Sequence, residues 1–343
     1  MSPKTKRIRC RDLVAVTGAY LLILFTWLGL YILTGDRFTV IALINFIAVY
    51  LFVPLFLVLI VAITCKSRWL GIGFIVGGLA FLWFWGDLFL PRFNQNSSTG
   101  PTLTVMTYNV LAWHSHYDAI LETIRAENPD LLLLQELNNG LASILQNELS
   151  EIYPYQVLEP VDNPEGIGVI SKFPIRQSEV ILPQLWAGGP QILELEWNGE
   201  EIMLVNFHMS PTTGILPRDE VEESISSRER EAHLLAGLAG QSDSVIMGGD
   251  ANTSSLSGAY QIITAELSDS FRAVGFGLGH TFPGSTIPES DRPHIGRLFV
   301  PAWMARIDYV FHSDDWTTLA ARTARIDGVS DHRGVIVEIG HSE

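Results

Sequence analysis

The sequence predicts an α+β domain carried behind a membrane anchor of three transmembrane helices, and three observations lead there. Hydropathy is the first. Of the 343 residues, 48% are hydrophobic and the mean hydropathy is +0.24, high for a globular chain, with nearly all the long apolar runs lying before Pro91. Secondly, the remaining chain of roughly 250 residues alternates short β-type runs with a few helical stretches, without repeats, which is enough for one domain with a real core. Thirdly, several of those β-type runs end in residues that bind metal or phosphate. The expected division is an anchor at 1–93, a linker at 94–100 and a globular domain at 101–343.

Three apolar stretches, 13–33, 38–64 and 69–90, each suffice for a bilayer crossing, which takes about 20 residues. None contains Lys or Arg, and their one acid, Asp87, lies near the end of the third. The first has too long an apolar core for a signal peptide and no small-residue cleavage site after it. Lys4, Lys6, Arg7, Arg9 and Arg11 precede the first stretch, and Lys66 with Arg68 lie between the second and third. The positive-inside rule therefore puts the N-terminus in the cytoplasm and everything after Leu90 outside it, in a multi-pass plasma-membrane protein. Gly73 and Gly77 suit close helix packing, Pro54 suits a bend in the second stretch, and Asn45 suits an interhelical hydrogen bond. The polar linker spans roughly 15 Å as a coil, which would keep the domain at the membrane surface.

Strands are expected at 103–109, 130–136, 166–171, 192–197, 202–208, 245–250, 307–312 and 334–339. Helices are expected at 117–127, stopped by Asn128-Pro129, and at 140–149 and 226–238. The globular part contains no cysteine, since Cys10 and Cys65 both precede it.

Four apolar runs, LTVMTYN, DLLLLQE, IMLVNFH and SVIMGGD, end in Asn109, Glu136, His208 and Asp250. With their ends together in one sheet, these groups would share a pocket. Arg306-Ile307-Asp308-Tyr309 and Ser330-Asp331-His332 follow downstream. Singly, such residues are turn formers or surface pairs. As an ordered set, YN, QE, NFH, GDxN, RIDY and SDH, they resemble the endonuclease/exonuclease/phosphatase superfamily, which contains pancreatic deoxyribonuclease, apurinic endonucleases, inositol polyphosphate 5-phosphatases and sphingomyelinases. The resemblance runs from about Leu103 to Val337.

That resemblance implies a two-layer β-sandwich flanked by helices and a metal-dependent phosphoesterase. It makes Glu136 the principal ligand of Mg²⁺, with Mn²⁺ as the alternative, helped by Asn109 and with Asp331 nearby. His208 and Asn252 would contact phosphoryl oxygens, Asp250 would orient or deprotonate water, and Asp308 would orient His332. A single Glu, an amide and a phosphate oxygen form a reasonable Mg²⁺ shell, and an Asp beside a His fixes its tautomer. The segment after Asn109, with His114 and His116, offers no acid for a second metal. Thr281-Phe282-Pro283 and Arg228 with Arg230 resemble pocket-rim features of some members.

Charge bears on the substrate. From Pro91 onward there are 14 basic and 34 acidic residues, a formal charge of −20, and Lys172 is the sole Lys. Nucleic-acid binding domains are usually basic, because Lys and Arg replace the condensed counterions. A nucleic acid is thus disfavoured, although a basic rim at Arg297 and Arg306 would favour a tethered nuclease. The preferred partner is a membrane lipid phosphate or pyrophosphate, as expected for members similar to the membrane-bound proteins linked to glycopeptide resistance.

Overall fold

The computed structural model describes residues 9–90, 98, 100–182, 188–212, 218–284, 294–295, 298–299, 301–325 and 328–342. Most of the linker, Lys4, Lys6, Arg7 and Arg297 lie outside them. The chain forms two compact units, 1–90 and 91–343.

The first unit is helical: α1 (Cys10–Thr34), α2 (Thr39–Ile47), α3 (Leu55–Thr64) and α4 (Arg68–Trp85). Two helical segments, Cys10–Thr34 and Arg68–Leu88, are long and apolar enough to cross a membrane. The pair Thr39–Phe52 and Leu55–Thr64 supplies a third crossing if taken as one span bent by 42°. The bend falls at Pro54, whose missing N–H and ring interrupt the helical ladder. A Cβ on Gly73 would lie 2.4 Å from Leu21 Cδ1, and one on Gly77 would lie 2.9 Å from Leu55 Cδ2, so both glycines serve packing. Trp27 donates to Asn45 across the bundle at 3.2 Å. Cys10 and Cys65 are disulfide-bonded, which places the start of α1 and the turn after α3 at one end of this unit.

The second unit continues with β1 (Thr102–Asn109), α5 (Tyr117–Glu127), β2 (Leu131–Gln135), α6 (Asn139–Glu148), β3 (Tyr155–Glu159), β4 (Ile167–Ser171) and β5 (Ile175–Gln177). Next come β6 (Gln191–Trp197), β7 (Glu200–His208), α7 (Arg218–Ala239), β8 (Val245–Asp250), α8 (Gly258–Thr264), β9 (Ser268–Asp269) and α9 (Ser270–Val274). A short hairpin, β10 (His294–Ile295) with β11 (Leu298–Phe299), precedes β12 (Asp308–His312), β13 (Trp316–Thr323) and β14 (Val335–His341). All eight expected strands and three expected helices are present. The main extension is at α7, which begins eight residues earlier than its sequence suggested.

Two mixed six-stranded sheets stack, in the orders β13-β14-β1-β2-β4-β3 and β5-β6-β7-β8-β12-β9. Alternation along each strand sorts the side chains. Met106, Tyr108, Leu132 and Leu134 turn outward under α5 and α6, while Val205, Phe207, Val245, Met247, Tyr309 and Phe311 turn outward towards α7 and α8. The period of two then sends Thr107, Asn109, Gln135, Asn206, His208, Asp250 and Asp308 to the inner faces.

Register brings those inner residues to one end. β1 and β2 are parallel with Asn109 opposite Gln135, β7 and β8 are parallel with His208 opposite Asp250, and antiparallel β12 sets Asp308 opposite Asp250. The sheets are linked inside by Gln135 Nε2 donating to Asn206 Oδ1 at 2.6 Å. The amide of Asn206 in turn donates to the carbonyls of Leu134 and Gly168, so neither buried polar group is left unpaired.

Candidate active site

Asn109 joins the two sheets at their common end. Its Nδ2 donates to Glu136 Oε1 at 3.0 Å and to Asp250 Oδ2 at 3.1 Å, and its Oδ1 accepts from Leu111 N. Asn109 is therefore a bridge between two carboxylates. Glu136 follows β2 with φ of +58°, a conformation costly for a residue with a Cβ. It is held there from both carboxylate oxygens, the second accepting from Ala112 N at 3.1 Å.

Asp250 is 1% exposed, and its Oδ1 accepts from Asn252 N at 2.8 Å. His208 Nδ1 donates to Pro164 O at 3.1 Å, which turns Nε2 towards Asp250 Oδ2 at 3.7 Å. Asn252 Nδ2 donates to Met209 O at 2.9 Å. On the other side, His332 Nδ1 donates to Asp308 Oδ2 at 2.9 Å, leaving Nε2 at 3.7 Å from the same Asp250 oxygen and 4.0 Å from Asp331 Oδ1. All eight residues singled out from the sequence thus fall in one connected cluster.

The electrostatics follow from crowding. Burial, reinforced by the charge of Asp308, pushes the Asp250 carboxyl up to about 6. Burial opposes the charged form of His332, yet Asp308 and Asp250 together hold the imidazole well above its usual range. Asp331 is raised by burial, with a contribution from Glu136.

The donor set suits a hard divalent cation. Ligand atoms of Asp250, Asp308 and His332 all lie within 4.8 Å of one another, Glu136 and Asp331 adjoin them, and Asp308 Oδ1 accepts no hydrogen bond from the described residues. Such a concentration of oxygen donors is what divalent cations take. Since His332 Nδ1 is committed to Asp308, the pair is arranged for proton transfer and charge stabilisation.

Two rim assignments change, and His114 takes a loop role. Arg306 is buried and paired bidentately with Asp269 at 3.0 and 2.6 Å, so it offers no basic rim. Arg228 is also buried and binds the loop after His208. His114 donates to Val110 O at 2.7 Å and accepts from His116 N, which accounts for it as a loop brace. Phe282 does wall the site, its ring 4.9 Å from that of His332.

Two residues named only as parts of their motifs turn out to brace the site. Thr281 Oγ1 accepts from Ile307 N at 3.1 Å, and Ser330 Oγ donates to Asn109 O at 2.7 Å, fixing the two downstream motifs to the strand ends. Ser330 stood inside the SDH motif and Thr281 inside Thr281-Phe282-Pro283, but neither hydroxyl signalled its bracing role.

A helix-flanked double sheet whose inner strand ends gather carboxylates, amides and an Asp-supported His defines a phosphoesterase hydrolase. The sequence profile described as Endonuclease/Exonuclease/phosphatase family matches residues 106–332, and the chain belongs to that family, whose members depend on divalent metal. Similar solved structures include an endonuclease/exonuclease/phosphatase from Bacteroides vulgatus, at 16% identity and a TM-score of 0.53, covering 71% of this chain and 100% of that one. TDP2 of D. rerio, complexed with single-strand DNA product, shares 15% identity with a TM-score of 0.55 over 70% of this chain and 100% of that one. A family protein from Beutenbergia cavernae shares 19% identity with a TM-score of 0.50, covering 70% and 72%. At these identities the likeness concerns the fold. No curated protein matches the chain by sequence.

Proposed function

We propose that the chain hydrolyses a phosphate ester or pyrophosphate bond of a lipid-linked or small phosphorylated substrate, with Mg²⁺ or Mn²⁺, at the outer face of the membrane. The carrying observation is the hydrogen-bonded bridge from Glu136 through Asn109 to Asp250, with the imidazoles of His208 and His332 each 3.7 Å from the same Asp250 oxygen, in a strongly acidic unit that follows the apolar helices.

Glu136, which Asn109 bridges to Asp250, would hold the ion together with Asn109 and the nearby Asp331, and the ion when bound neutralises phosphoryl charge. Asp250 orients the attacking water and takes its proton. His208 and Asn252 face the phosphoryl oxygens from the other sheet. Asp308 fixes the tautomer of His332 and supports its charged form beside the reacting group. Phosphoryl transfer needs this alignment and charge compensation more than covalent help.

The lipid preference rests on charge. A unit of formal charge −20 repels a polyanion, and the one described member of the suspected basic rim, Arg306, is sequestered by Asp269. A small head group needs only the pocket. The test is phosphate release by the full-length chain, in detergent or liposomes, from lipid phosphates and an undecaprenyl-type pyrophosphate, beside cleavage of duplex and single-stranded DNA under the same Mg²⁺ conditions. Release from a lipid with weak DNA cleavage is expected. Efficient DNA cleavage with no release from any lipid would replace this reading with a tethered nuclease.

A further inference from the structure

Helix α7 breaks the rule that a covering helix follows. Its buried residues, Val221, Ser224, Arg228, Glu231, Ala232, Leu235 and Leu238, recur every three or four positions and form one stripe. The C-terminal half of that stripe is apolar and joins the core cluster of the second sheet. The other half carries Arg228 at 3% exposure and Glu231 at 1%. Removing a guanidinium or carboxylate from water is costly, and apolar residues would cover a sheet without that cost. A local violation of this kind marks a place where some other requirement prevails.

What the two charges hold is the segment immediately after His208. Glu231 Oε2 accepts from Ser210 N at 2.9 Å, and Oε1 accepts from the Ser210 hydroxyl. Arg228 Nη1 donates to Ser210 O at 2.9 Å and to Thr212 Oγ1 at 2.8 Å. Ser210 is thereby gripped by its amide, carbonyl and hydroxyl. One residue earlier, Met209 N donates to Asp250 O, and Met209 O accepts from Asn252 Nδ2, both at 2.9 Å. That second contact sets the plane of the Asn252 amide and leaves its other N–H directed elsewhere.

We infer that Arg228 and Glu231 are positioning residues that lock residues 209–212 and thereby fix His208 and Asn252 as the phosphoryl-facing edge of the site. The inference rests on the reading of His208 and Asn252 proposed above. The lock acts through main-chain atoms, so its loss displaces both side chains together while leaving each chemically intact.

The experiment uses the full-length chain in detergent, with Glu231→Ala, Glu231→Gln and Arg228→Met, the last keeping an unbranched apolar stem in place of the guanidinium. Amide hydrogen exchange over 209–212 reads the lock directly. Glu231→Ala and Arg228→Met should raise exchange there while β8 stays protected, and unchanged exchange in both would overturn the inference. Turnover of p-nitrophenyl phosphate and bis-p-nitrophenyl phosphate reads the consequence. Glu231→Ala should lower kcat/KM by about 10- to 100-fold, the scale of a misplacement near 1 Å. Glu231→Gln, which retains an acceptor for Ser210 N, should recover activity to within about threefold of wild type. In an Asn252→Ala background, Glu231→Ala should cost less than about threefold, since groups acting through one another are not additive. Full additivity would reduce the pair to a structural role and sink the proposal. If the wild type hydrolyses neither of these compounds nor any of the lipid phosphates above, the proposed reading of the site fails instead, and hydrogen exchange still decides whether the lock exists.

Discussion

At the scale of single residues, the site is a balance of crowded charge. Asp250→Asn, His332→Ala and Glu136→Gln should each lower turnover by about 10²-fold or more, the usual scale for a lost acid/base group or its equivalent. Steady-state kinetics of the three variants checks this, and near-normal rates in all of them would discard the assignment. Stability carries the same signature. The Asp250 pKa is raised in the folded state to about 6 by burial and by Asp308, so its contribution favours folding below its unfolded value and is lost as pH rises through 6. His332 is raised too, so what it adds persists to higher pH and fades only above its own elevated value. At pH 8 Asp250 is ionised beside Asp308, and the charge of His332 offsets it only in part, so a divalent cation adds further relief. At pH 5 Asp250 is largely protonated and the cation gains less. Thermal melting in EDTA and in excess Mg²⁺ should thus show a larger rise in Tm at pH 8 than at pH 5. Equal shifts at the two pH values would mean that the ion binds away from these carboxylates.

At the scale of elements, what could be read in the sequence was whatever period and register dictate. Four strands whose apolar runs lead into Asn109, Glu136, His208 and Asp250 were visible because each run stops at its polar residue, Glu136 standing just past the end of β2. Their convergence then needed only parallel pairing of β1 with β2 and of β7 with β8. The edge strands β3 and β13 were missed because Tyr155–Glu159 is only half-buried and Trp316–Thr323 is rich in Thr and Ala, so neither forms an apolar run. The charge-rich sequence of α7 hid its buried stripe, since Arg228 and Glu231 stand where a helical pattern expects Leu. Arg306 was misread as a rim residue because its partner, Asp269, lies 37 residues away in sequence. The GGD motif also has an element-level cause. A Cβ on Gly249 would lie 1.9 Å from the carbonyl oxygen of Phe207 in the neighbouring strand, a clash with backbone that no rotamer relieves. Gly249→Ala should therefore destabilise the fold by about 3 kcal/mol, the upper range for overpacking, as read from urea midpoints. A variant with an unchanged midpoint would show that β7 and β8 can part without penalty.

At the scale of the whole molecule, the orientation of the chain in the membrane can be argued from charge placement. The bond between Cys10 and Cys65 gathers Arg9 and Arg11 with Lys66 and Arg68 at one end of the helical unit, whereas residue 35, where α1 ends, is flanked by Asp36 and Arg37 with no net charge. Basic residues near span ends stay on the cytoplasmic side. With the bent pair counted as one span, α1 would leave that side, 39–64 would return to it and α4 would leave again, so the chain after Leu90 is expected to emerge on the far side. A reporter active only outside the cytoplasm should function when fused after Gly100 or at Glu343, and a cytoplasm-only reporter should be silent at both positions. The cysteines give a second readout. A Cys10–Cys65 disulfide belongs to an oxidising compartment and free thiols to the cytoplasm, so alkylation decides between the two placements: thiols that react with a membrane-impermeant maleimide only after permeabilisation put this end in the cytoplasm, and a disulfide already formed in intact cells puts it outside. A disulfide already formed in intact cells, together with activity of the cytoplasmic reporter at Glu343, would reverse the orientation. That outcome would place the catalytic unit inside the cell, where the lipid at its pocket would belong to the inner leaflet.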